Sequence, residues 1–459
     1  MSQGSTEAEV ALPAQVHAWV ERTTGGTIVK ADRRPGGGRR EAWFLDVRAA
    51  DGAVAELFMR LDRSPPGSRD RYDTVREAQV YQALHGAGML VPKVLGVHPA
   101  PQAVLSERVT GETWFSRLKD PAAQLSVAQD FMRWLARLHA IPAQSLSIPA
   151  FAPLADIPTH VLQELDAWEE TYRIDPAVTD PLIEFAFAWL RANVPQVKGP
   201  VVLVQGDTGP GNFLYQDGRV KAILDWELSH WGDPMDDIAW LSLRAVQEPF
   251  THFPERLREY EALSGIAIDE ARVRYYRVFA ELRIVIMGHG RGRDRSGRGE
   301  VGNGLIYGAL HHRLLVETLA DVMGVTLEPF ALPGGEERDH AWIYDAALAQ
   351  IRDVLVPLST DPFVVQRAKG LARLLKHLKD CDRLAAAFDA QDLDDLAGLL
   401  GARPASIDAG RDALVPLVRE RRVDPVAALR YFHRWTTRRT ALTRDAMGVL
   451  ADRHYPPLR

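Results

Sequence analysis

Two apolar runs near the start of the chain, 41–47 and 53–61, are rich in aromatic and aliphatic residues and are joined by Ala49-Ala50-Asp51-Gly52. That arrangement predicts a β-hairpin. Residues 76–84 carry their apolar positions at helical spacing, and 102–111 reads as a strand running into a connection. Helical periodicity follows at 121–141, 154–172 and 181–194. Two short apolar runs, 201–204 and 220–224, are strand-like, and each leads into an acidic turn. Helical patterns return at 238–245, 255–263, 269–287 and 305–324. The Pro-, Gly- and charge-rich stretch 328–337 reads as a linker. Beyond it, 342–355, 362–378, 383–388, 392–400, 407–421 and 425–450 read as helices, without strand-like alternation. The pattern predicts an α+β chain: a small mixed lobe, a larger mostly helical one, and an all-helical end.

The candidate chemistry sits on the two acidic turns. Val204-Gln205-Gly206-Asp207-Thr208-Gly209-Pro210-Gly211-Asn212-Phe213 is followed closely by Ile223-Leu224-Asp225-Trp226-Glu227. An Asp, an Asn five residues on, and a second Asp at the end of the next strand-like run form the set that phosphoryl transfer requires. One carboxylate takes or orients the proton of the attacking hydroxyl, while an amide oxygen and the other carboxylate hold magnesium on the phosphates. The D-x-x-x-x-N spacing matches the catalytic loop of protein kinases. An Asp or Asn in a Gly/Pro loop often only closes a turn; here order and context favour chemistry. Asp207 is expected to be the base, with Asn212 and Asp225 the metal ligands. Asp233 and Asp237 are expected to cap or brace the next segment.

Together with Gly232-Asp233-Pro234 and Asp237, these motifs resemble the aminoglycoside phosphotransferase and choline kinase superfamily over roughly residues 25–320. The flavour is that of the branch associated with acyl-CoA dehydrogenases, which includes 4-hydroxyacyl-CoA kinases. The resemblance implies a bilobal protein-kinase-like fold with an antiparallel sheet in the small lobe, plus an all-α C-terminal domain. The corresponding domains are 1–24 as an extension, 25–110 as N-lobe, 111–327 as helical C-lobe, 328–338 as linker and 339–459 as an accessory helical domain. It implies ATP and Mg2+ as cofactors. Nucleotide contacts are expected from the glycine loop Gly36, Gly37 and Gly38, from Arg60 paired with Glu77, and from the backbone at Glu107 to Val109. Two departures stand out: Gln205 occupies the position usually held by His, and Arg60 replaces the usual Lys. Arg keeps the positive charge but differs in shape.

Acceptor-binding candidates are Glu227, Arg244, Arg283, Arg291 and Arg293; the last two belong to an arginine- and glycine-rich run, 289–299. Arg suits phosphate recognition, which fits the substrate that the resemblance implies, the hydroxyl of a hydroxyacyl-CoA or hydroxy acid. An antibiotic phosphotransferase and a nucleotide-binding pseudokinase are the competing readings. The cluster Arg434, Arg438, Arg439 and Arg444 near the end reads as a solvated face or a basic surface.

Composition adds bounds. A chain of 459 residues, 46% hydrophobic and 25% charged, suits two or three ordinary globular domains. A net charge of -6 gives no reason to expect nucleic acid. The single cysteine, Cys381, excludes internal disulfides and Cys-based zinc sites. Apolar runs fall short of the roughly 18 residues a membrane span needs. The first twenty residues lack a signal-peptide pattern, so the cytoplasm is the default expectation.

Overall fold

The structure is a computed structural model that describes residues 11–34, 40–63, 73–175, 178–289 and 300–459. It divides into two compact units: residues 1–156, 199–268 and 457–459 form one, and residues 157–198 and 269–456 the other.

The first unit opens with α1 (Ala14–Thr24) and a five-stranded sheet. Strands β1 (Thr27–Arg34), β2 (Arg40–Arg48) and β3 (Val54–Asp62) pair antiparallel in sequence order. Alternation does the sorting: Trp43, Leu45 and Val47 of β2 and Leu57, Met59 and Leu61 of β3 are buried together with Val16 and Val20 of α1. Each such side chain contributes about 1.5–3 kcal/mol. The same two-residue period sends Arg60 to the opposite face of the sheet. Next comes α2 (Thr74–Gly86), whose first turn is capped by Asp73 accepting from the Arg76 amide at 2.7 Å. Glu77 and Tyr81 stand one turn apart on it and share a face. β4 (Val94–Pro99) and β5 (Gln102–Glu107) complete the sheet in the order β1-β2-β3-β5-β4. The predicted hairpin is β2–β3. The sequence pattern missed the two edge strands because β1 is mostly polar and partly exposed, and β4 is short.

α3 (Pro121–Ala140) buries the face its periodicity predicted, through Phe131, Met132, Trp134, Leu135 and Leu138. The chain then leaves for the second unit as α4 (Ile157–Tyr172) and α5 (Pro181–Ala192). It returns as β6 (Val202–Val204), which pairs with β9 (His230–Gly232), enclosing the hairpin β7 (Phe213–Gln216) and β8 (Arg219–Ile223). Helices α6 (Pro234–Gln247) and α7 (Phe253–Ser264) close the unit.

The second unit adds α8 (Glu270–His289), α9 (Val301–Met323), α10 (Trp342–Gln350), α11 (Pro362–Leu400), α12 (Ile407–Arg419) and α13 (Pro425–Met447) to α4 and α5. Three helices expected over 362–400 are one. The polar stretches between them contain neither Gly nor Pro, and pairs such as Asp380–Arg383 (3.1 Å) support the helix across them. The compact units also cut the chain elsewhere than at the expected 328–338 boundary. Residues 325–338 lack regular structure, as their composition predicts, but they are packed. Phe330 meets the His433 ring at 5.9 Å, and a Cβ on Gly335 would fall 2.2 Å from the Arg383 carbonyl oxygen. Helices on both sides of that segment therefore belong to one body. Among the described residues, no helix is long and apolar enough to cross a membrane.

Candidate active site

All of the site's construction lies within the first unit. Its foundation is Asp237, fully buried in the first turn of α6. The Asp237 carboxylate accepts from the amides of Gln205 (3.1 and 3.0 Å) and Gly206 (3.1 Å), from the Thr208 hydroxyl, and from His139 Nε2 at 3.1 Å. Burial opposes its charge, but His139, Thr208 and the Gln205 amide outweigh that and hold its pKa below the usual carboxylate range. Asp233 caps the same helix, accepting from the Met235 amide at 3.0 Å. Asp233 therefore caps the next segment, as expected, whereas Asp237 turns back to brace the preceding loop. Gly206 is required by close approach: its φ is +81°, and a Cβ there would sit 2.5 Å from the Leu228 carbonyl oxygen.

Asp207 emerges from this braced turn with both carboxylate oxygens engaged. Arg244 of α6 donates through Nε to Oδ1 at 2.7 Å and through its second guanidinium arm to Oδ2. The Asn212 amide donates to the Asp207 carbonyl (2.8 Å) and to Oδ2 (2.7 Å). Its side-chain nitrogen is thus committed, and its oxygen is turned to acceptor duty. Burial pushes the Asp207 pKa up; Arg244 opposes this, and the net shift is upward.

Asp225 stands beyond the β7–β8 hairpin in a left-handed backbone conformation, φ +62°, which is uncommon for a residue with a side chain. Its amide donates to the Tyr81 hydroxyl at 3.0 Å, and Oδ1 accepts from Arg60 at 3.1 Å. The same guanidinium nitrogen of Arg60 reaches both oxygens of Glu77, at 3.1 and 3.0 Å. Glu77 in turn accepts from the Trp226 amide at 3.3 Å. For Asp225, burial opposes ionisation but Arg60 wins, and its pKa falls below the ordinary value. For Arg60, burial is outweighed by Glu77 and Asp225, which keep the guanidinium firmly protonated.

One side chain and one backbone hydrogen bond tie the loops together. Gln205 donates through its amide nitrogen to the Leu224 carbonyl at 2.8 Å, so the departure from His supplies a bond between the two aspartate loops. Leu224 donates its amide to the Asn212 carbonyl at 2.8 Å. Glu227, half-buried, pairs with Arg40 and lies 4.0 Å from Arg60. Burial and then Asp225 push its pKa up to about 7 against the two arginines.

The structure therefore assembles Asp207, Asn212, Asp225, Arg60, Glu77, Glu227 and Arg244 into one connected network. The amides of Glu107 and Arg108 are committed to the carbonyls of Lys93 (3.0 Å) and Glu56 (3.2 Å), whereas that of Val109 bonds no described residue. Gly36, Gly37, Gly38, Arg291 and Arg293 lie outside the described residues. Arg283 belongs to the second unit, where it is buried with its guanidinium 3.7 Å over the Phe279 ring. Sequence reading missed Arg40 and Tyr81. Tyr81 could have been found as the residue one turn beyond Glu77; Arg40 carries no signal, since only the strand register brings it to Glu227.

Asp225 contributes a carboxylate and Asn212 an amide oxygen, and among the described residues no group of three or more His, Cys, Asp and Glu is placed to hold a metal. Such a sparse oxygen set suits magnesium, which keeps waters and shares substrate phosphates, better than zinc or calcium.

A carboxylate, an amide and a second carboxylate thus stand on two linked turns beside an arginine–glutamate pair. The model of the phosphotransferase enzyme family (APH) matches residues 34–276. The match covers more than half of the chain, which belongs to that family. Among curated proteins, acyl-CoA dehydrogenase family member 11 of Rattus norvegicus is 28% identical over 195 residues, 40% of this chain and 25% of that protein. Acyl-CoA dehydrogenase family member 10 of Mus musculus is 27% identical over 202 residues, 41% of this chain and 18% of that protein. The chain thus spans a quarter or less of the length of these two relatives. The solved structure of a candidate aminoglycoside phosphotransferase from Ralstonia eutropha matches with a TM-score of 0.52 at 19% identity, covering 68% of this chain and 98% of that one. That likeness supports the fold: an N-terminal antiparallel sheet followed by a helical remainder.

Proposed function

We propose that the chain transfers the γ-phosphoryl group of ATP, with Mg2+, to an alcohol on a small anionic metabolite, a hydroxyacyl-CoA or a free hydroxy acid. The observation that carries the reading is the opposed treatment of two linked aspartates: Asp207 is held toward protonation and Asp225 toward ionisation. Environments that drive two carboxylates apart are how one site assigns a proton acceptor and a charge-bearing ligand. In this reading the acceptor oxygen forms its bond to phosphorus as the bond to ADP breaks, and its proton passes to Asp207. Oδ2 of Asp207 is filled by Arg244 and Asn212, whereas Oδ1 accepts only from Arg244 Nε and retains a lone pair for the proton, so the two residues orient the carboxylate without consuming it. Arg60, pinned by Glu77, neutralises phosphate charge. Asn212 and Asp225 would hold magnesium, which supplies further neutralisation of the phosphates. In this reading the backbone amide of Val109 would meet the adenine edge.

The anionic acceptor is favoured because the charged neighbour nearest the base is Arg244. An aminoglycoside, being cationic, would be served by carboxylates there. Similarity to acyl-CoA dehydrogenase family members supports an acyl-CoA context. A pseudokinase is disfavoured by the complete set of Asp207, Asn212 and Asp225.

The test is ADP release by wild type and Asp207→Ala, offered hydroxyacyl-CoAs, free hydroxy acids and aminoglycosides. Turnover is expected with the hydroxyacyl substrates and should fall by about 10²–10⁴ in the variant. Turnover of aminoglycosides alone, or activity that survives the substitution, would overturn the reading.

A further inference from the structure

The four arginines near the end of the chain do not behave alike. Arg434 pairs with Asp395 at 2.8 Å, Arg438 with Asp392 at 2.8 Å and with Asp395, and Arg444 with Asp452 at 2.6 Å. Arg439 meets no carboxylate among the described residues. Solvent reaches its side chain, yet enough protein surrounds it that burial, reinforced by Arg411, lowers its pKa.

The neighbours, all in the second unit, deepen the pattern. The Trp435 ring carries the Arg411 guanidinium at 3.9 Å and that of Arg439 at 5.0 Å, and meets the His312 ring edge-on at 5.6 Å. Arg411 pairs with Asp180 at 2.6 Å and donates to the Tyr431 hydroxyl at 3.4 Å. His312 faces the Gly308 carbonyl through Nδ1 at 2.7 Å, so it donates there and leaves Nε2 turned elsewhere. Burial pushes its pKa down to about 4, and Arg439 adds to that. At the end of α8, Nε2 of His289 is buried and bonds no described residue. Asp180, fully ionised under Arg411, is the carboxylate set against two guanidiniums and two imidazoles, because Asp392 is committed to Arg438. Two guanidiniums held against one indole, of which only Arg411 has a carboxylate partner, leave a positive charge in excess.

We propose that this cluster of the second unit lines a cleft that is an anion site in its own right, in which Arg439 and Arg411, braced on Trp435 beside His312, bind the phosphate of a phosphate monoester or diphosphate. Guanidinium forks match phosphate oxygens in shape as well as charge, and the indole face holds them planar. The proposal stands apart from the phosphoryl-transfer reading, since it shares no residue with that site.

Isothermal titration of the full chain with inorganic phosphate and pyrophosphate tests it. Saturable binding is expected in wild type, retained in Arg60→Gln, and weakened by about tenfold or more in Arg439→Gln. Arg444→Gln, which changes a paired arginine outside the cleft, should leave it unaltered. Without phosphate, Arg439→Gln should melt no lower than wild type, because the lost charge has no carboxylate partner. Absence of saturable binding, equal binding in Arg439→Gln, or binding lost with Arg60→Gln would overturn the assignment.

Discussion

The loop at Asp207 and the loop at Asp225 are neighbours in space, joined through Gln205 and the β7–β8 hairpin, and each presents an aspartate to an arginine. Their outcomes are opposite. At Asp207 burial prevails over Arg244 and the pKa rises; at Asp225 Arg60 prevails over burial and it falls. The difference lies in what stands behind each arginine and each carboxylate. Arg60 is itself locked by Glu77, and Asp225 carries further help from Arg244 and Arg40. Asp207 has one arginine and one neutral amide, and Asp225 adds a like charge that favours its protonated form. A single ion pair thus does not fix a carboxylate's state; the surrounding charges do.

That contrast can be broken outright by exchanging charge for amide. Asp207→Asn and Asp225→Asn should each lower turnover by about 10²–10⁴. Only the Asp225 variant should also demand more magnesium for half-maximal rate. Equal magnesium dependence in the two would erase the distinction. Next in size is the support beneath both loops. Asp237→Ala strands two loop amides and the Thr208 hydroxyl and breaks the buried pair with His139, and should destabilise the chain by about 3–5 kcal/mol in urea titration. A loss within a few tenths would mean that the loop is held from elsewhere.

Arg244→Ala sharpens the comparison by removing the cation that restrains Asp207. The ionised carboxylate loses its stabilising partner, so the acid limb of the kcat/KM profile should move to higher pH. A shift to lower pH would show that Arg244 does not act on the base. The smallest effect is expected at Glu227, whose pKa of about 7 exceeds the usual carboxylate value. Between those two values the folded chain keeps a proton that the unfolded chain releases. This contribution is complete at low pH and is lost as pH rises through 7. The melting temperature of Glu227→Gln should therefore change less than that of wild type from pH 5 to 7.5, and identical slopes would remove Glu227 as the source.

Much of this was legible before any coordinates. The hairpin 41–61 announced itself by two apolar runs around a short Asp-Gly connection, and α3 by its apolar stripe. Asp207, Asn212 and Asp225 were readable because their chemistry demands particular residue types on short turns. Less visible were β1 and β4, whose edge positions demand little burial, and the long α11, where polar stretches imitate breaks without a residue that stops a helix. The four C-terminal arginines looked equivalent, and only their partners distinguish Arg439 from the others.

The sequence by itself determined the phosphotransferase family, most of the helices, the strands within 41–61, 102–107, 201–204 and 220–224, and Asp207, Asn212 and Asp225 as candidate oxygen donors. Local pattern suffices there, because periodicity and turn chemistry act over a few residues. Tertiary structure alone decided that Arg244 faces the base, that Arg40 reaches Glu227, and that helices on both sides of 328–338 form one body. Those outcomes depend on charges and surfaces brought together from distant positions, and on the burial that sets the strength of each interaction.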